Sequence, residues 1–214
     1  MRKIIGVMAV FALTLTLSVP VFAQDTSSQK QVATESISKV GSQNVSVSGV
    51  MSYSQMLNSI AKDNNITTKE VSKSLQQNNS FLDSNMLEAN ATYRSIGVSF
   101  AVNGSYQPTL RFYCQTSESS TMWGIVKIVN INMDRSYNGM SKQFKGTVYA
   151  NLQDAGTIFW TVNGDFYNNG TTTVSGSGGA SIDVGGAGSV DFSASSSYAS
   201  NHYAYCYKEG YFRH

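Results

Sequence analysis

The chain has 214 residues, of which 13% are charged, and its formal net charge of +2 comes from 15 Lys and Arg against 13 Asp and Glu. Arg2 and Lys3 fall in an N-terminal leader, and without them basic and acidic residues balance at 13 each. A neutral, sparsely charged surface has no electrostatic footprint for nucleic acid or anionic lipid, so neither is expected as a partner.

Residues 1–23 read as a signal peptide. Arg2 and Lys3 form the basic start, Ile4 to Leu17 is almost unbroken apolar sequence, and Val21 and Ala23 are the small residues of a cleavage site before Gln24. The apolar run is too short to span a bilayer, and no later segment is apolar enough to anchor the chain, so membrane insertion is not expected. The expectation is a secreted, extracellular protein cut between Ala23 and Gln24. Residues 24–44 are polar and rich in Ser and Gln, without periodicity, as in a disordered leader.

Residues 45–90 carry a helical pattern. Ser52 with Gln55, and Thr67 with Glu70, have the spacing of capping boxes, in which each side chain satisfies a free N–H of the first turn. Met56, Leu57, Ile60 and Ala61 follow the first cap, and Val71 and Leu75 the second. The polar "KDNN" at 62–65 lies between them. This is a short helical hairpin with one apolar face. Within residues 52–79, Leu57, Ile60, Ala61, Ile66, Val71, Leu75 and Asn78 are spaced so that the segment resembles the helix pair of the LysM peptidoglycan-binding module. That resemblance implies a βααβ unit and a cell-wall ligand. No second strand is legible directly after Asn78, and the alternative is a hairpin that buries its apolar face against the following domain.

From residue 91 to 214 the period becomes two. Strands are expected at 92–102, 109–117, 121–133, 144–153, 157–163, 171–177, 180–185, 188–199 and 201–209. Turn chemistry marks Asn103-Gly104, Asn138-Gly139, Asp154-Ala155-Gly156, Asn163-Gly164 and Asn168-Asn169-Gly170. The Gly- and Ser-rich stretch 171–200 keeps a strand register: Ile182 and Val184 alternate with Asp183, and Val190, Phe192 and Ala194 with Asp191, Ser193 and Ser195. A flexible linker has no reason to hold that alternation. Gly178-Gly179 and Gly185-Gly186 then read as turns or bulges. The fold class expected is mainly β, an antiparallel β-sandwich preceded by a short helical hairpin, with jelly-roll or immunoglobulin-like topology left open.

Cys114 and Cys206 are the only cysteines, and in an exported chain an even count predicts a disulfide. A bridge through the core would turn Leu110, Phe112 and Cys114 inward and Arg111, Tyr113 and Gln115 outward. On the last strand Cys206 and Ala204 would face in, and Tyr203, Tyr205 and Tyr207 out. This tyrosine stripe, with Tyr113, is the candidate ligand-binding surface, because aromatic rings stack on the apolar faces of sugars. The other reading of the stripe is a seam buried beneath Met56, Leu57, Ile60 and Leu75.

No catalytic constellation is legible. There are two histidines, His202 and His214, no Gly-x-Ser-x-Gly elbow and no phosphate-cradling loop. No metal site and no cofactor are expected, since the Asn/Asp clusters lack EF-hand spacing. The functional expectation is non-enzymatic binding at or outside the cell envelope, with a glycan or peptidoglycan as ligand. A secreted toxin or antagonist of other cells, and a structural extracellular matrix protein, are the alternatives.

Overall fold

The computed structural model describes residues 36–40, 43–78, 91–168, 172–175 and 181–214, all within one unit spanning Ala33–His214. In chain order the elements are β1 (Ser36–Val40), β2 (Gln43–Val47), α1 (Tyr53–Asn64), α2 (Thr68–Asn78), β3 (Thr92–Ser99), β4 (Thr109–Glu118) and β5 (Trp123–Asp134). They continue with β6 (Ser136–Tyr137), β7 (Met140–Ser141), β8 (Gln143–Asp154), β9 (Thr157–Tyr167), β10 (Thr172–Ser175), β11 (Ile182–Asp183), β12 (Ala187–Ala194) and β13 (His202–Arg213). The signal peptide and cleavage site expected at 1–23, and the turns at Asn169-Gly170 and Gly178-Gly179, lie outside the described residues.

The fold is mainly β, with antiparallel sheets packed as a sandwich and a short helical region near the start. One sheet has the order β1-β2-β3-β4-β5-β11 and the other β10-β12-β8-β9-β13; β6 and β7 form a separate two-stranded hairpin. Five consecutive strands stay in one sheet as a meander, unlike a jelly roll, whose chain passes repeatedly between two sheets. Between the sheets lies a core that joins Ile96, Leu110, Phe112, Cys114 and Ile131 of one to Phe144, Val148, Trp160, Phe166 and Phe212 of the other. The period-two pattern therefore has a simple cause. Each strand gives alternate side chains to this seam.

The six-stranded sheet has a second cover. Its far face carries Tyr93, Tyr113 and Val129, and Met56, Ile60, Ala61, Val71 and Leu75 of the helical hairpin pack there. The chain connection keeps the hairpin at this sheet: β2 and β3 are antiparallel neighbours, and Met51 bridges Tyr93 just before α1 begins. The hairpin inserted between two adjacent strands must fold back over their own sheet. Both expected capping boxes form: Ser52 N donates to Gln55 Oε1 at 2.8 Å and Gln55 N to Ser52 Oγ at 3.3 Å. Thr67 N donates to Glu70 Oε2 at 2.8 Å and Glu70 N to Thr67 Oγ1 at 3.3 Å. Asn65 ends α1 in the left-handed region, with φ 53°.

Three expectations need correction. The polar stretch 24–44 is not wholly a leader, because β1 and the start of β2 fall within it. The sandwich therefore does not begin at residue 91, and the hairpin segment 45–90 is an insertion within its first sheet. Asn163-Gly164 is not a turn: β9 runs straight through it, with Gly164 opposite Gly146 of β8. A Cβ on Gly164 would stand 2.6 Å from Gly146 Cα and 2.8 Å from Phe144 Cε2. The glycine pair makes room for the Phe144 ring, which a turn signal read locally cannot reveal.

Candidate functional site

The two outer surfaces of this assembly differ in kind. One carries the helical hairpin. The other, the outer face of the five-stranded sheet, is open, and strand register places its residues in rows. Tyr205 stands opposite Asp165, and Asp165 opposite Lys145. The next row runs Tyr207, Asn163, Thr147, Asp191, and the one after it Glu209, Thr161, Tyr149, Ser189. A fourth runs Tyr211, Phe159, Asn151, Ala187.

Tyr205 is 59% exposed and Tyr207 54% exposed. Their hydroxyls are nevertheless fixed: Tyr205 Oη donates to Asn163 Oδ1 at 2.9 Å and Tyr207 Oη to Glu209 Oε2 at 3.2 Å. The hydrogen bond to Glu209 raises the Tyr207 phenol above its ordinary pKa. Further along the face, Phe159 contacts Tyr211 at 5.0 Å and Tyr149 at 6.3 Å between ring centroids. Arg213 lies over the Tyr211 ring at 4.3 Å. Polar groups flank the rings: Thr147 Oγ1 donates to Asp191 Oδ1 at 2.6 Å, and His202 Nε2 lies 2.8 Å from Asp165 Oδ1.

The other two expected site residues go elsewhere. Tyr203 does not continue the stripe. A register shift between His202 and Ala204 makes it the extra residue of a bulge. Its ring turns to the sandwich end, edge-on to Tyr106 at 5.8 Å, and its hydroxyl donates to Asn103 O at 2.9 Å. Lys142 Nζ sits 4.4 Å from the ring centroid. Tyr113 points outward from the sandwich core as expected, but on the other sheet, and it is 1% exposed beneath α1. Tyr113 and Tyr205 therefore lie on opposite outer faces. The seam reading of the stripe is also displaced, because Met56, Ile60 and Leu75 cover Tyr93 and Tyr113 instead of Tyr205 and Tyr207.

Around Tyr113 is a cluster that the linear sequence did not single out. Its hydroxyl donates to Asp63 Oδ2 of α1 at 2.6 Å, and Arg111 Nε lies 3.1 Å from the same oxygen. Arg111 also reaches Asp134 Oδ2 at 3.8 Å. Burial pushes the Asp63 carboxyl above its ordinary pKa, against the opposing pull of Tyr113 and Arg111. These groups line a cavity of about 360 Å³ together with Lys62, Ser48, Ser59 and Ser95. Asp63 and Tyr113 are 50 residues apart, so no local motif announces them.

Cys114 and Cys206 face the core from opposite sheets, as the alternation requires, but the expected disulfide is not present: both are buried free thiols. Among the described residues no group of three His, Cys, Asp or Glu could hold a metal ion, and no helix is long and apolar enough to cross a membrane. No family model, no curated protein and no solved structure matches this chain.

Proposed function

We propose that this chain is an exported, non-catalytic glycan-binding protein whose ligand surface is the outer face of the five-stranded sheet. The observation that carries this reading is the pair Tyr205 and Tyr207, more than half exposed yet held in place through their hydroxyls. A rigid aromatic ring costs little entropy on binding, and its face suits the apolar C–H side of a pyranose. Asn163, Asp165, Asp191 and Glu209 beside the rings offer acceptors for sugar hydroxyls. Strand alternation puts all of them on one open surface, which suits an extended chain of sugars better than a buried small molecule. Export rests on the leader read in residues 1–23.

Among glycans, peptidoglycan is suggested by the resemblance of residues 52–79, inserted in the first sheet, to the LysM helix pair. There β2, α1, α2 and β3 follow in that order, and the two flanking strands are antiparallel neighbours. A LysM-like unit is built in that order, here continued by β1, β4 and β5.

The test is retention of the full mature protein on insoluble peptidoglycan, chitin and cellulose, alongside a soluble glycan array. The wild type binds at least one of them, and Tyr207→Ala weakens that binding by about tenfold or more. A wild type that binds no glycan, or a Tyr207→Ala variant that binds as well as wild type, rejects the reading.

A further inference from the structure

We infer that the cavity between α1 and the six-stranded sheet is a binding site for a small zwitterion: a free amino acid or short peptide bearing one ammonium and one carboxylate group. It lies on the far side of the sandwich from Tyr205 and Tyr207, and it stands or falls independently of glycan binding.

The volume of about 360 Å³ is at the small end of ligand sites. Most such sites are apolar with a few polar groups, whereas this one gathers Lys62, Asp63, Arg111 and Asp134 around one space. A lone anion would meet two carboxylates there, and a lone cation would meet a guanidinium and an ammonium. A ligand with both charges satisfies both pairs at once. The aromatic face that a sugar ring would need is missing, because the ring of Tyr113 is packed under the helix and only its hydroxyl is engaged.

The four groups are unequally committed. Asp63 is held by Tyr113 at 2.6 Å and by Arg111 at 3.1 Å, so it fixes the inner wall. Asp134 is 3.8 Å from Arg111, beyond hydrogen-bond length, and its side chain is 38% exposed. Its Oδ1 accepts from Ser136 N at 2.9 Å, so Oδ2 is the oxygen that would meet an incoming ammonium. Arg111 and Lys62 then face the carboxylate, for which the flat guanidinium provides parallel donors. Behind this wall Asn132, in register with Arg111 and 3% exposed, turns its side chain to the Asp63 carboxyl.

The probes are glycine, L-alanine and the dipeptide Ala-Ala, titrated calorimetrically into the full mature protein, with N-acetyl-L-alanine and L-alaninamide as charge-capped controls. At least one uncapped probe binds, and removing either charge from L-alanine weakens it about tenfold or more. Asp134→Asn weakens binding by a similar factor with an unchanged urea midpoint, whereas Tyr207→Ala has no effect. Three results each overturn the inference: no binding of any uncapped probe at about 10 mM, where even a millimolar Kd registers; equal binding of either capped form; or wild-type affinity in Asp134→Asn.

Discussion

The Tyr113 hydroxyl, on β4, donates to the Asp63 carboxylate, on α1, at 2.6 Å, joining the helical hairpin to the sheet beneath it by a bond between residues 50 positions apart. It is a hydrogen bond to an acid group in a largely buried setting, where such bonds contribute most. Tyr113→Phe keeps the ring packing and removes only the donor. The expected loss is about 1.5–3 kcal/mol, read from urea midpoints. A change within about 0.5 kcal/mol would show that Arg111 alone holds Asp63 in place.

Stability should depend on pH through the same carboxyl. Because burial raises the Asp63 pKa above its ordinary 3.8, the folded state binds that proton more tightly than the unfolded chain. Its stabilising contribution is complete below 3.8 and is lost as pH rises through the folded value. Asp63→Asn removes this titration. Its stability relative to wild type should therefore grow between about pH 4 and pH 7. Glu118, held below its ordinary pKa by hydrogen bonding to Arg94, pulls the other way in both proteins and cancels in the difference. A pH-independent difference would refute the buried-charge account.

Tyr205 offers the contrasting case. It is 59% exposed, so Tyr205→Ala should shift the urea midpoint by no more than about 0.5 kcal/mol. The same truncation at Tyr113, 1% exposed, should cost about 3–5 kcal/mol. Similar losses at both positions would mean that something covers the tyrosine face in solution.

The two thiols should be silent in the native protein. Burial pushes the Cys206 thiol up to about 11, and Cys114, deeper in the core, higher still. Iodoacetamide at neutral pH should modify neither until the chain is unfolded, and then both. An unfolded, unreduced protein with no alkylatable thiol would instead establish a Cys114–Cys206 bond.

Gly164→Ala should be among the most damaging small substitutions. The blocking atoms include Gly146 Cα and the Lys145 carbonyl, which are backbone and cannot turn aside. Overpacking of this kind costs about 1–3 kcal/mol or more. Thermal denaturation of the variant measures it, and an unchanged midpoint would show that β8 and β9 can separate locally.

The long strands β3, β4, β5, β8, β12 and β13 were legible because each gives alternate side chains to the seam: Leu110, Phe112 and Cys114 alternate with residues turned away from it, whereas the two-residue β6 and β7 are too short to show a period. Both helix starts were legible because Ser52–Gln55 and Thr67–Glu70 satisfy backbone groups within four residues. Such local demands leave a local trace. β1 and β2 were missed because "SISKV" and "QNVSV" are short and mostly polar. β1 pairs with β2, and β2 is joined to the rest of the sheet by β3, about fifty residues later in the chain.

Sequence alone determined that Tyr205 and Tyr207 share a face, since that follows from the period of an extended chain. It did not determine which sheet Tyr113 joins, where the bulge at Tyr203 falls, or what the hairpin covers. Those depend on β4 and β13 entering different sheets, and on β2 and β3 being neighbours across the inserted helices. The Asp63, Arg111 and Asp134 cavity is the extreme case. Its charges come from three elements that only tertiary packing brings together, and no spacing along the chain encodes the 3.1 Å between Arg111 and Asp63.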